Sequence, residues 1–338
     1  MTNDKIVGVQ KLGFQWQAED PFLVTMHHKD AYPSGNDNQG PNTSLEGRNL
    51  GEDFSSKDGF SMYHGTTVPG FPAHPHCGFE TVTIVLEGFV DHFDSTGGAG
   101  RYGNGDVQWL TTGKGTMHSE MFPLVHQDRE NPLELFQIWL NLASNNKFAE
   151  PEYKMLWAED IPEIQSIHAN GATTTIRLIA GTLQGKTSLE PNRASWANDR
   201  SHHVGIYLVK MEPEAAFTLP SVSGTLNRNI YFYKGKEIRI DGTLIEASHR
   251  VKLAGDQEIE ITNGTEESYI LVLEGEPIQE PVAQYGPFVM NTKHEIQNAF
   301  NEYQRTQFGG WKWGSYDHVN ERDSGRFARH SDGRVEKR

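Results

Sequence analysis

The stretch His74-Pro75-His76-Cys77-Gly78-Phe79-Glu80-Thr81-Val82-Thr83-Ile84-Val85-Leu86-Glu87-Gly88 carries the reading of this chain. From Glu80 to Leu86 it alternates and is rich in β-branched residues, the pattern of a strand, and Glu87-Gly88 closes it. Just ahead stand two histidines at i and i+2, a spacing that turns both imidazoles to one face of an extended chain. His118-Ser119-Glu120 repeats that spacing behind the turn Gly113-Lys114-Gly115, which can deliver a strand edge toward the first pair. Three imidazoles and a carboxylate form a mixed nitrogen and oxygen donor set that suits Fe, Mn, Cu, Ni or Zn. With open coordination positions such a site takes water, substrate or dioxygen. The absence of thiolates speaks against a structural zinc knuckle. A lone His-x-His is weak evidence, since histidine pairs also occur on surfaces and in satisfied cores. Two such pairs, one behind a Gly-rich turn, favour the metal reading. Glu80, counted on the same strand face as His74 and His76, is read as a partner that orients an imidazole rather than as a ligand.

Working outward, strands are expected from Lys5 to Trp16, around Phe22, and again at Asp91 to Asp94, Gly105 to Leu110 and Leu133 to Leu142. A polar insertion from Asp30 to about Asp58 has turn chemistry at several points and is too long for a tight connection, so it is expected to cover something. A second set of strands runs from about Thr173 to Val272 and repeats landmarks of the first: Gly88 matches Gly235, and Gly105-Asp106 matches Gly255-Asp256. Aligned on these glycines, Ser221, Ser223 and Asn227 fall opposite His74, His76 and Glu80, and Ser268 and Ile270 opposite His118 and Glu120. The second copy therefore lacks the ligand set. His202 and His203 are adjacent and face opposite sides if extended, so they are read as surface or core residues. Thr292-x-x-Glu295 opens a helix with Ile296, Ala299, Phe300 and Tyr303 on one face, and Gly309-Gly310 ends it. The division expected is a metal-bearing unit at 1–142, a linker at 143–172, a metal-free unit at 173–290, and at 291–338 the helix with a loosely ordered tail.

Composition bounds the function. The 338 residues favour two domains, and 34 glycines and 16 prolines among short apolar stretches favour an all-β fold. With 45 acidic against 30 basic side chains, the net charge of −15 repels phosphate backbones, which excludes direct nucleic-acid binding. One cysteine, no secretory signal in the first thirty residues and no long apolar run lead to the expectation of a cytoplasmic protein without membrane insertion.

The segments His74 to Thr83, Leu86-Glu87-Gly88, Gly105-Asp106-Val107-Gln108-Trp109 and Gly113-x-Gly115-x-x-His118-Ser119-Glu120-Met121 together resemble the signature of the pirins. So do Leu273-x-Gly275-Glu276-Pro277-Ile278 and Gly286-Pro287-Phe288-Val289-Met290-Asn291, so the resemblance spans both halves. It implies a bicupin fold of two antiparallel β-barrels with one mononuclear iron in the N-terminal barrel, and its ligand motif falls on His74, His76, His118 and Glu120. Iron(II) is the first choice of metal, with Mn, Ni, Cu, Co or Zn left open. One departure is Cys77, where pirins commonly carry arginine, so a cation beside the metal is expected to be missing. The insertion around Asp30 to Asp58 looks like an elaboration found in only part of the family.

Because several pirins resemble quercetinases, the resemblance implies a dioxygenase that opens a flavonol or a related small aromatic enol with dioxygen, with Glu120 both ligand and catalytic base. Phe71, Phe79 and Trp109 are candidates for an apolar wall, Trp109 being better read as core. The alternative is a redox-sensitive, iron-dependent binding protein whose partner is a transcription factor or a metabolic enzyme.

Overall fold

The computed structural model describes residues 4–338 and resolves them into two compact units, Met26–Ala158 with Glu280–Arg338, and 4–25 with Glu159–Gln279. Both are built of antiparallel strands, and α1, Lys293–Thr306, is the one α-helix among the described residues. The units do not follow the chain serially. Each recruits a segment from the opposite end, where the sequence suggested cuts at 142, 172 and 290. The cause is edge pairing: Ile6–Lys11 pairs with His249–Leu253, which otherwise would present unpaired backbone groups. The segment expected to be a linker itself carries strands, Glu152–Leu156 paired with Val107–Thr111, and Glu163–Ile167 paired with Thr173–Ala180.

In the first unit two sheets pack face to face. One runs through Glu152–Leu156, Val107–Thr111, Phe79–Glu87, Asn131–Asn141 and Phe22–Tyr32. The other orders Val335–Lys337, Phe327–Arg329, Ala99–Gly103, Phe89–Asp94, Thr116–Met121 and Gly70–His76. Hydrogen bonding thus forms two open sheets and not one closed cylinder. Val85, Val90, Tyr102, Leu135 and Met155 belong to the core between them. Gly78 (φ 86°) makes the break that sends Gly70–His76 and Phe79–Glu87 into different sheets, and a Cβ there would meet the Val289 carbonyl oxygen at 1.9 Å. Glu80 is therefore not on the strand of His74 and His76, contrary to the count along an unbroken extended chain.

The insertion after Asp30 is held by buried polar anchors. Arg48 pairs with Asp53 at 2.8 Å and donates to the Phe60 carbonyl, while Asp30 accepts from Ser61 N and Tyr63 Oη, both at 2.8 Å. The tail, expected to be loosely ordered, takes a defined course. Arg101, buried, pairs with Asp91 and donates to the carbonyls of Asn320, Glu321 and Arg322, and Arg326 pairs with Asp106. Low apolar content hides such a segment from pattern reading, because its anchors are hydrogen bonds that buried charges require. The helix begins in the expected Thr292/Glu295 capping box and buries Ile296 and Ala299; it ends at Gln307, in the left-handed region, ahead of the glycine pair.

In the second unit the sheet order Ala216–Leu219, Ile259–Asn263, Glu237–Ile240, Thr243–Glu246 matches Gly70–His76, Thr116–Met121, Phe89–Asp94, Ala99–Gly103 in the first. The counterpart of the strand bearing His118 and Glu120 is thus Ile259–Asn263, not the strand of Ser268 and Ile270. Gly255 was the wrong anchor because the connections differ in length between the units. Phe217, Leu219, Ile259 and Ile261 on the matching strands all join the apolar core, which offers a metal no donor at these positions.

Candidate metal centre

Gly70–His76 and Thr116–Met121 pair antiparallel with His74 directly opposite His118, and a one-residue bulge between Phe71 and His74 places Phe71 opposite Glu120. This register is what converts two separate i, i+2 pairs into one cluster. Ring nitrogens of His74, His76 and His118 all lie within 4.8 Å of one another. Nε2 of His74 stands 3.0 Å from Nε2 of His76, and Nε2 of His118 is 3.8 Å from Oε2 of Glu120. Adjacent ligands on an ion with bonds of about 2.1 Å sit about 3.0 Å apart, so the spacing suits a single small divalent ion.

The electrostatics agree. Burial pushes the His74 imidazole down to about 4 and those of His76 and His118 well below the usual histidine range, with neighbouring imidazoles adding to the effect. Neutral rings keep a lone pair for a metal. His74 Nδ1–H donates to the Pro72 carbonyl at 2.9 Å, which leaves Nε2 as the lone-pair nitrogen. Neither ring nitrogen of His118 has a hydrogen-bond partner although the residue is fully buried, an arrangement that is costly without a ligand to fill it. The residues present therefore fit a divalent transition metal.

Glu120 is also buried, and burial raises its carboxyl above the usual range against the opposing effects of His92, Thr83 and Gln137. Thr83 Oγ1 donates to its Oε1 at 3.0 Å and Gln137 Nε2 to its Oε2 at 2.5 Å; Trp139 Nε1 in turn donates to Gln137 Oε1 at 3.3 Å. Behind His118, His92 stacks on Tyr153 and donates from Nε2 to Asp94 at 3.0 Å. Glu80 accepts from the Trp109 indole at 3.0 Å and the Thr111 hydroxyl at 2.6 Å, within the buried sheet.

A cavity of about 520 Å³ opens over the cluster. Phe71 lines it, as the sequence suggested, whereas Phe79 packs behind His76 and Trp139, and Trp109 is fully buried. Sequence reasoning missed Met26, His28, His64, Gln137 and Trp139 on its wall. The available signal was the i, i+2 spacing of Met26/His28 and of Gln137/Trp139 on strands, but which face points inward depends on the sheet packing. The insertion reaches this rim: the Phe54 ring lies 5.2 Å from His64.

Cys77 is buried beneath the helix with Phe288, Met290 and Ile296, and burial pushes its thiol up to about 12. A cation is nevertheless near this turn. Lys147, from the segment read as linker, is buried and donates to the carbonyls of Gly78 (2.8 Å) and Val289 (3.1 Å) and to Asn141 Oδ1 (2.5 Å). Burial lowers its ammonium to about 8. Outside the first unit, His202 stacks on Trp196 and bonds its carbonyl oxygen. Among the described residues no helix is long and apolar enough to cross a membrane.

Comparison with known proteins gives a consistent picture. A family model described as Pirin matches residues 15–140, and one described as the Pirin C-terminal cupin domain matches 206–309. A pirin-like protein of Solanum lycopersicum is 38% identical over 239 residues, covering 70% of this chain and 75% of that protein. Pirin of Homo sapiens is 32% identical over 259 residues, covering 74% and 81%. The crystal structure of quercetin 2,3-dioxygenase from Acinetobacter baumannii superposes with a TM-score of 0.71 at 26% identity, covering 90% of this chain and 98% of that one.

Proposed function

The chain belongs to the pirin family, and we propose that its first cupin unit holds one divalent transition metal, iron(II) in the first place, on His74, His76, His118 and Glu120, and acts as a quercetin 2,3-dioxygenase-like oxygenase on flavonols or related enols. The observation that carries this reading is the convergence of three neutral imidazoles, His118 fully buried behind His74 and His76, which with Glu120 line a cavity whose wall includes Phe71 and Trp139; burial raises the pKa of the Glu120 carboxyl beside them. A bound ion of this kind supplies Lewis acidity toward an enolate oxygen and, for the redox-active metals, access to dioxygen.

The chain's own residues do the rest. Met26, Phe71, Trp139 and Pro287 form apolar wall that excludes water around a flat ligand. Glu120, its carboxyl made more basic by burial, takes the proton of the enol hydroxyl as the substrate enters. Thr83 and Gln137 fix the carboxylate's orientation, and Trp139 holds Gln137.

The test is elemental analysis of the purified protein, then anaerobic addition of quercetin followed by oxygen, monitoring the flavonol absorption band. About one metal per chain with oxygen-dependent loss of the band is expected. Glu120→Gln should retain metal and lose turnover, and full activity in that variant would exclude Glu120 as the base. One metal per chain without turnover would move the reading to a redox-sensing binding protein.

A further inference from the structure

One polar side chain on the cavity wall has no task in the chemistry above. His28 is 7% exposed, lines the cavity together with Met26 two residues before it, and makes no hydrogen bond to another described residue. Among the described residues its ring neighbours are aromatic: edge contacts with Tyr63 at 4.8 Å and Phe71 at 5.7 Å. Burial holds its imidazole down to about 4, with His27 adding repulsion, so one ring nitrogen carries a proton to donate and the other a lone pair to accept. Neither nitrogen is sealed off from the cavity or bound by the protein, so both functions are open to a ligand there.

Its position defines what it can meet. The Phe71 ring neighbours both His28 and the imidazole cluster, 5.7 Å from the first and 6.4 Å from His74. A ligand of two or three linked aromatic rings covers that span. His64 is 5.7 Å from the same ring, and its Nδ1–H donates to the Gly51 carbonyl at 2.7 Å, which leaves its Nε2 as an acceptor at the rim. Among the described residues no lysine or arginine lines the cavity, so a carboxylate at the His28 end would find no fixed counter-charge.

We infer that His28 is a specificity-determining residue: it hydrogen-bonds a hydroxyl on the ring of a flat, uncharged polyphenol that lies remote from the enol oxygen seated at His74, His76 and His118. This rests on the flavonol reading of the cavity. It makes the preferred substrates those hydroxylated on the pendant ring, and it ranks the bare enol and carboxylated analogues below them.

The experiment compares quercetin with galangin, which keeps the enol and the fused-ring hydroxyls and lacks only those of the pendant ring, by equilibrium binding to the metal-loaded protein without oxygen. Wild type should bind quercetin about tenfold more tightly, the worth of one net hydrogen bond. His28→Phe should erase that preference with metal content unchanged, and His28→Gln, which keeps a donor and an acceptor, should restore part of it. An undiminished preference in His28→Phe, no preference in wild type, or loss of metal from the variant would each overturn the inference while sparing the flavonol reading. Failure of wild type to bind either flavonol would remove both.

Discussion

Replacing Asp30 by asparagine tests how the insertion that rims the cavity is held. The Asp30 carboxyl is 3% exposed, accepts from Ser61 N and Tyr63 Oη, and is raised from 3.8 to about 6, chiefly by burial, with the two hydrogen bonds opposing and Asp53 adding to the rise. Because the folded state holds this proton more tightly than the unfolded chain, the stabilisation is complete below the unfolded value and is lost as pH climbs through the folded one. A rise from 3.8 to about 6 corresponds to ~3 kcal/mol. Asparagine does not titrate, so all other pH-dependent groups cancel in the difference between the two proteins. Denaturant unfolding at a series of pH values should therefore show wild type losing ~3 kcal/mol relative to Asp30→Asn between about pH 4 and pH 7. A difference that stays level across that range would show that Asp30 ionises as an exposed carboxylate does, and would refute the packing of the Ser61–Tyr63 segment over it.

Two further substitutions follow from the buried polar groups. His74→Ala removes one of three imidazoles and should lower metal affinity by at least about 100-fold while the sheets remain folded, since even the loss of an outer partner costs a factor of 10 to 100; elemental analysis showing unchanged metal after dialysis would remove His74 from the ligand set. Arg101→Leu strands the buried Asp91 carboxylate and frees the carbonyls of Asn320, Glu321 and Arg322. The expected cost is about 3–5 kcal/mol in denaturant unfolding, with faster proteolysis beyond residue 311; an unchanged midpoint would mean that the tail is not anchored through this guanidinium.

The sequence by itself determined the local grammar of this protein. Period-two alternation after Gly78 and the paired glycines at Gly88 and Gly235 announced strands and a repeated unit, and the Thr292/Glu295 pair announced the helix, because each depends on residues close in the chain. The i, i+2 pairs named the donors for the same reason: extended geometry decides locally that His74 and His76 share a face. Tertiary structure decided what those donors meet. That His74 faces His118 follows from the register between Gly70–His76 and Thr116–Met121 and from one bulge, neither of which any local pattern encodes. Glu80 moved off the ligand strand because a single positive-φ glycine sent the chain into the other sheet. The cavity wall drew Met26 and His28 from one distant strand and Gln137 and Trp139 from another, and Lys147 and the tail found their places through buried charges that seek partners wherever the fold brings them. Hydrogen-bond satisfaction in a closed core is a property of the whole assembly of strands, and only the folded chain states which groups remain to be satisfied.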